Sequence, residues 1–361
     1  MRLDDVVGHD RMRAILSRAL ERDRLPPALL LTGPDGVGKK LLALAAAQAA
    51  LCERAPAAEP CGECRTCRKV SAAVGIERLQ KQREEADRHH DKDQWRNFRL
   101  HPDLVLVEGW WLTKTGRPRP EPEIRVGQVR ELVAEVRGAP FEARRRVFIL
   151  DDAHGMNESS QNALLKSLEE PPPRSHLILV TSRPQGLRQT IRSRCQVLRF
   201  GPLSRQAVTT FLTERRGVPE EEARLRASLA AGSLGAALAF ESEGYKAMRE
   251  RLLSLLERIE DQDALARMEQ AERLEQADDP ALLLTTLRSL LRDVVALRSG
   301  ASAAALLNSD VAARLGPLAS GSLGTRAAGL AATVGETRAA LRGFANKLLT
   351  FDILVDALSA K

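Results

Sequence analysis

An α/β fold on a parallel sheet, carrying an inserted metal-binding module and followed by two all-helical regions, is what the 361-residue sequence predicts. Three observations predict it. Apolar runs of strand length alternate with helical spacing as far as Phe200, and such alternation argues for a parallel sheet covered on both faces. A glycine-rich loop joins the first apolar run directly to a helix. From Ser204 to Lys361 amphipathic helical patterns follow one another, with no strand pattern and no internal repeat.

The elements follow in order. Ala28–Thr32 (ALLLT) is a buried-strand pattern that runs into Gly33-Pro-Asp-Gly-Val-Gly-Lys-Lys40 and then the helical run LLALAAAQAALCE. The charged stretch Glu77–Arg99 predicts an exposed helix and loop, broken by His101-Pro102-Asp103. LVLV at 104–107 predicts a strand, and the Gly- and Pro-rich Trp110–Glu123 predicts a loop. Ile124–Val136 has helical spacing, and RVFIL at Arg146–Leu150 is a buried strand ending in Asp151-Asp152. Ser159–Glu169 is a helix stopped by Pro171-Pro172-Pro173, and His176–Val180 and Cys195–Phe200 are further strands. Beyond Gly201-Pro202 come short helices over Ser204–Arg216, Glu220–Ala231 and Leu234–Glu241. Longer helices follow from Gly244, with breaks expected near Asp279-Pro280, Gly300, Gly316-Pro317 and Gly335. The predicted division is an α/β domain over 1–202 with the cysteine module near 52–67, a small helical domain over 203–243, and a helical domain over 244–361.

Composition narrows the function. Hydrophobic residues make up 43% and charged residues 29%, enough for a packed core. No apolar run approaches the roughly 20 residues a membrane helix needs, and the opening MRLDDVVGHD has no secretion-signal pattern. The expectation is a cytoplasmic protein with no membrane contact. A net charge of +7 favours an acidic partner, nucleic acid being the usual one, although an Arg-rich Ala/Leu composition accounts for it as well. Aromatics are only 3%, which argues against base stacking as a binding mode.

Three motifs carry chemistry. Gly33, Gly36, Gly38 and Lys39 fit the phosphate-binding loop G-x-x-x-x-G-K-[ST], in which backbone N–H groups and a lysine cradle phosphates and a hydroxyl ligates magnesium. Lys40 replaces that hydroxyl and cannot ligate the metal, so ATP hydrolysis is expected to be lost, and ATP and magnesium binding are in doubt, although Lys39 and the loop amides could hold phosphate with no ligated magnesium. Two placements of Lys40 stay open: a second positive charge facing phosphate, or a side chain pointing outward. The strand end VFILDDAH offers Asp151 for the metal's water shell and Asp152 where an active ATPase carries Glu, one methylene longer. Cys52, Cys61, Cys64 and Cys67, spaced C-x₈-C-x₂-C-x₂-C, suit a closed tetrahedral structural zinc site. Cys195 is expected to be a small buried residue, and His89 and His90 to lie on a solvated face.

A longer run of residues is more specific than any of these. Asn162-Ala-Leu-Leu-Lys-Ser-Leu-Glu-Glu-Pro-Pro172, Leu179-Val-Thr-Ser182 and Ile191-Arg-Ser-Arg-Cys195 resemble bacterial DNA polymerase III clamp-loader subunits of the AAA+ class. Val6-Val7-Gly8-His9 resembles the segment that lies over adenine there, and the four-cysteine module after the phosphate-loop helix is similar too. The similarity is strong over Leu3–Leu203. Beyond that it rests on the helical pattern, Asn308 and Phe344–Leu358.

The resemblance implies an AAA+ domain, a helical lid and a helical collar for oligomerisation. Within the family, three departures favour the delta-prime branch over the ATP-hydrolysing gamma/tau branch: Lys40, Asp152, and Gly235 where the hydrolysing subunit carries its sensor-2 arginine. Thr181 or Ser182 would be the sensor-1 polar group. Arg194, in Ser-Arg-Cys, matches the arginine finger that acts in trans on a neighbouring subunit's ATP. The implied partners are gamma/tau-like and delta-like subunits, the sliding clamp, and primed DNA through the complex. Polymerase chemistry is not expected of the chain. A gamma/tau-like motor and a zinc-stabilised interaction module are the alternatives.

Overall fold

The computed structural model describes residues 2–74, 97–112, 118–277, 279–342 and 345–360. The chain divides into two compact units, Met1–Leu238 and Ala239–Lys361.

In the first unit, α1 (Asp10–Glu21), β1 (Ala28–Thr32), α2 (Lys39–Leu51) and α3 (Arg65–Val74) come first. They are followed by β2 (Asn97–His101), β3 (Leu104–Val107), β4 (Trp110–Leu112), β5 (Pro118–Glu123) and α4 (Val126–Val136). Then come β6 (Arg146–Leu150), α5 (Glu158–Glu169), β7 (Ser175–Thr181), α6 (Gln189–Arg192) and β8 (Gln196–Arg199). The main sheet runs β2-β3-β6-β7-β1-β8. All its pairings are parallel except β2–β3.

β1, β6 and β7 are buried along their whole length, which is why their sequences are unbroken apolar runs. The pleat sends alternate residues to opposite faces. Leu29 and Leu31 join a core with α1, α2 and α3, while Leu30, Phe148 and Leu150 join one with α4 and α5. Read from the other edge, the parallel strands run fifth, first, fourth, third, second in chain order. The glycine loop therefore leaves an inner strand, between β7 and β8, at the carboxyl edge where such sheets bind ligands. This is the AAA+ P-loop architecture that the sequence predicts.

Three helices complete the unit: α7 (Arg205–Arg216), α8 (Glu220–Leu229) and α9 (Leu234–Ala239). Leu203, Val208, Leu212, Ala223, Ala227 and Ala237 form their small core, with Val7 packed against it.

The second unit is wholly helical among the described residues: α10 (Ser242–Leu256), α11 (Ala264–Glu275), α12 (Pro280–Arg298), α13 (Ala312–Ser320), α14 (Ser322–Arg342) and α15 (Lys347–Ser359), with short 3₁₀ turns between some of them. Leu253, Leu287, Leu290, Leu315, Phe351 and Leu354 lie in its core. A buried polar knot fixes the 307–308 turn. Tyr245 donates to Asn308 Oδ1 at 2.6 Å, and Asp293 accepts from the Asn308 backbone and side-chain nitrogens, both at 2.8 Å. Satisfied polar groups of this kind discriminate against alternative packings.

The structure corrects four expectations. Trp110–Glu123 is not all loop: β4 and β5 form an antiparallel ribbon. Its prolines, 118, 120 and 122, lie in β5, and the register of the ribbon shifts between Trp110 and Leu112. Asn97–Arg99, expected as helix or loop, begins β2, where Phe98 and Leu100 face inward at strand period. The rest of that charged stretch, with His89 and His90, lies outside the described residues. Pro317 sits inside α13, where it removes the one bond to the Ala313 carbonyl and leaves the short helix otherwise intact. Gly335 lies within α14, beside the buried Val334. Packing there outweighs the roughly 1 kcal/mol intrinsic penalty of a helical glycine.

Candidate functional site

The carboxyl edge of the sheet gathers the phosphate loop, the strand-end acids and the end of β7. Gly33, Gly36 and Gly38 all have positive φ, at +146°, +71° and +103°. That backbone suits glycine, which has no Cβ to strain. Gly33 is also tight against β8's exit, since a Cβ there would lie 2.3 Å from the Phe200 carbonyl oxygen. The 6–9 segment covers the loop from outside. Val6 is buried, and the His9 ring, edge-on to Phe200 at 4.8 Å, bonds the Val37 carbonyl through Nε2 at 3.0 Å.

The two lysines diverge. Lys39 turns back on its own loop and donates to the carbonyls of Gly33 at 2.8 Å and Pro34 at 2.6 Å. Burial lowers its pKa against the pull of Asp35, Asp151 and Asp152. Lys40 takes neither placement the sequence left open. It points to the sheet edge, with Nζ 2.9 Å from Asp151 Oδ2 and in direct contact with the Glu108 carboxylate. Burial opposes its charge, but Asp151 and Glu108 together outweigh it and hold its pKa above the ordinary lysine value.

Glu108 was missed by the sequence reading, yet a signal exists. It follows β3 directly, as Asp151 follows β6, and the parallel register pairs Val107 with Leu150. The next residue on each strand therefore emerges beside the other. Asp152 stands just beyond, in left-handed conformation at φ 50°. Burial, then Asp151 and Asp35, push its carboxyl up to about 7. Thr181 is buried at the end of β7, where its hydroxyl meets His154 Nδ1 at 3.1 Å and accepts from the Arg183 amide at 3.0 Å.

The start of α9 lies against the loop. The Gly235 amide donates to the Gly36 carbonyl at 2.9 Å. A Cβ on Gly235 would lie 3.0 Å from Gly36 Cα, and one on Gly36 would lie 2.2 Å from Ser233 Oγ. These residues do not fit a magnesium–nucleotide. The lysine ammonium occupies Asp151, the acid that would hold the metal's shell.

Arg194 lies apart from the phosphate loop. It follows α6 on an exposed turn, donating to the Thr190 carbonyl at 2.9 Å and pairing with Glu169 at 2.8 Å. Its side chain keeps 35% of its surface open. Cys195 beside it is buried, which pushes its thiol up to about 11, well away from the thiolate a nucleophile needs.

The four cysteines do come together. Their sulfurs all lie within 4.8 Å of one another, and Cys61 Sγ is 4.0 Å from Cys67 Sγ. Zinc–thiolate bonds of about 2.3 Å in a tetrahedron require sulfurs about 3.8 Å apart, so the set can hold zinc with small adjustment. The amides of Cys64 and Cys67 each donate to the preceding cysteine's sulfur at 3.3 Å. The Cys64 amide is the main reason the Cys61 thiol falls to about 6. Burial raises the Cys52 and Cys67 thiols, a cost that a bound cation would offset. Gln48 of α2 donates to the Cys67 carbonyl at 3.1 Å and so ties the module to the phosphate-loop helix.

The sequence matches the family described as DNA polymerase III, delta subunit, over residues 8–204. The chain belongs to that family. It is 32% identical to DNA polymerase III subunit delta' of Pseudomonas aeruginosa over 247 residues, covering 68% of this chain and 64% of that protein. It is 30% identical to the Bacillus subtilis delta' subunit, with the same coverage of each chain. It is also 27% identical to the B. subtilis tau subunit, covering 81% of this chain and 50% of that protein. The chain thus spans about half to two thirds of the length of these relatives. The clamp-loader resemblance of the motifs holds at the level of the family, and both delta' and tau stand among the relatives. Among the described residues, no helix is long and apolar enough to cross a membrane.

Proposed function

We propose that the chain is a delta-prime-type, non-hydrolysing subunit of a DNA polymerase III clamp loader, which supplies Arg194 to ATP bound on a neighbouring subunit. The observation that carries this is the Lys40 ammonium between Asp151 and Glu108, which takes the acids of the chain's own site out of use. The fold is kept while its hydrolytic parts are absent. Arg194, by contrast, stays exposed, where a partner's γ-phosphate could draw it from Glu169. Such a finger can be worth about 10³–10⁵ in rate.

In this reading 1–202 is the AAA+ domain with a structural zinc, 203–243 the lid, and 244–361 the collar that joins gamma/tau-like and delta-like subunits. Exposed Leu265 and Met268 on α11, and Leu349 and Ile353 on α15, support such a packing role. The assembly would load a sliding clamp on primed DNA, with the chain acting as a fixed scaffold.

The test is reconstitution with gamma/tau-like and delta-like partners. Arg194→Ala should still assemble but lower clamp- and DNA-stimulated ATPase by about 10³ or more. Unchanged ATPase would sink the proposal. The motor alternative draws support from the tau alignment over 81% of the chain. ATP turnover by the isolated chain, lost on Lys39→Ala, would favour it instead.

A further inference from the structure

Lys40 does more than remove a magnesium ligand. Its ammonium sits between two carboxylates that leave neighbouring parallel strands in register, Glu108 after β3 and Asp151 after β6. Both acids are largely withdrawn from solvent, with side-chain exposures of 8% and 16%. Two acids so placed repel each other and lose hydration unless a cation stands between them.

The position of the cation also matters. Lys40 is the second residue of α2, next to Lys39, whose ammonium is bonded to the Gly33 and Pro34 carbonyls. The same loop is held from the other side by the Gly235 amide on Gly36. One helix start therefore joins the sheet-edge acids and the loop carbonyls through bonds supplied by the chain itself.

We infer that Lys40 is a tethered cation: its ammonium fills a carboxylate pair that otherwise takes a divalent ion. The inference rests on the reading of this loop as a disabled nucleotide site. An ammonium holds carboxylate oxygens at about 2.8 Å and magnesium or manganese at about 2.1 Å. With the lysine stem cut back, the two acids need to close by less than about 1 Å each to ligate an ion. The site is thus cryptic: present in the backbone, and occupied by a side chain.

The experiment uses the full zinc-replete chain, with Mn²⁺ uptake followed by electron paramagnetic resonance and thermal melting followed with and without Mg²⁺. Wild type should take up no Mn²⁺ through these acids and melt at one temperature regardless of Mg²⁺. Lys40→Ala should melt lower, take up about one Mn²⁺ per chain, and recover roughly 3–6 °C at an Mg²⁺ concentration ten times its Kd. Lys40→Arg, which keeps the charge, should behave as wild type, and adding Glu108→Gln to Lys40→Ala should abolish the uptake.

If Lys40→Ala folds only in the presence of Mg²⁺, the inference stands. If it fails to fold even then, the triple variant Lys40→Ala/Glu108→Gln/Asp151→Asn decides: recovery of folding supports charge compensation, and continued failure overturns it. Lys40→Ala that melts like wild type and ignores both ions overturns it too, as does wild-type Mn²⁺ uptake lost on Glu108→Gln. All of this is read on the chain alone, so it can fail while the Arg194 experiment succeeds, and the reverse.

Discussion

The first unit gathers anionic ligands in two places and balances them in opposite ways. In the cysteine module, four sulfurs lie within 4.8 Å of one another, a set that could hold a metal ion. At the sheet edge, Glu108 and Asp151 converge on Lys40. The donors differ for a physical reason. Thiolates are soft ligands that zinc binds far more strongly than any ammonium does, whereas a carboxylate pair accepts a lysine nearly as readily as a weakly held magnesium. A metal held at the first site would answer to the metal content of its surroundings, whereas the ammonium at the second belongs to the chain itself. The two are also joined, because Gln48 reaches from α2 to Cys67 and Ser71 while Lys40 reaches from the same helix to the acids.

The largest effect should come from removing the outside cation. Cys64→Ser, or a strong chelator, should reduce bound zinc from about one per chain to none and unfold the 52–74 segment, since structural zinc is worth roughly 10 kcal/mol or more in small modules. Metal analysis with hydrogen exchange checks this. Full protection without zinc would erase the contrast between the sites.

A smaller effect tests how tightly the self-balanced site is closed. Gly36 has φ +71°, and its Cβ would lie 2.2 Å from Ser233 Oγ. Gly36→Ala should cost about 1–3 kcal/mol in denaturant unfolding, from backbone strain and displacement of the lid contact. A neutral substitution would mean that the lid is not held on the loop in solution.

The smallest effect concerns the acid left over. Asp152 is raised to about 7, above its unfolded value, so the folded chain binds more protons than the unfolded chain between about 4 and 7. Its contribution therefore falls as pH rises through that window and is lost above it. Asp152→Asn should remove this fall in a stability profile. An unchanged slope would assign the pH dependence to other groups.

Much of the architecture was legible. Fully buried parallel strands leave continuous apolar runs, so β1, β3, β6 and β7 stood out, as did the glycine loop and the cysteine spacing. Two of the misses share a cause. Asn97–Arg99 and Trp110–Glu123 were judged by charge and proline content, but strand pairing depends on which face and which edge each residue presents. Pro317 and Gly335 carry local penalties that tertiary packing overrides.

The sequence by itself determined that a phosphate loop is present, that its magnesium hydroxyl is absent, and that four thiols are spaced to share one metal. Those facts are local, written within a few residues of one another. Only the tertiary structure decided where the Lys40 ammonium goes and that Glu108 receives it. That outcome depends on β3 and β6 lying side by side in register, which brings together positions 108 and 151 from segments far apart in the chain. A long flexible side chain takes its direction from the nearest opposite charge, and the nearest charge was set by strand pairing.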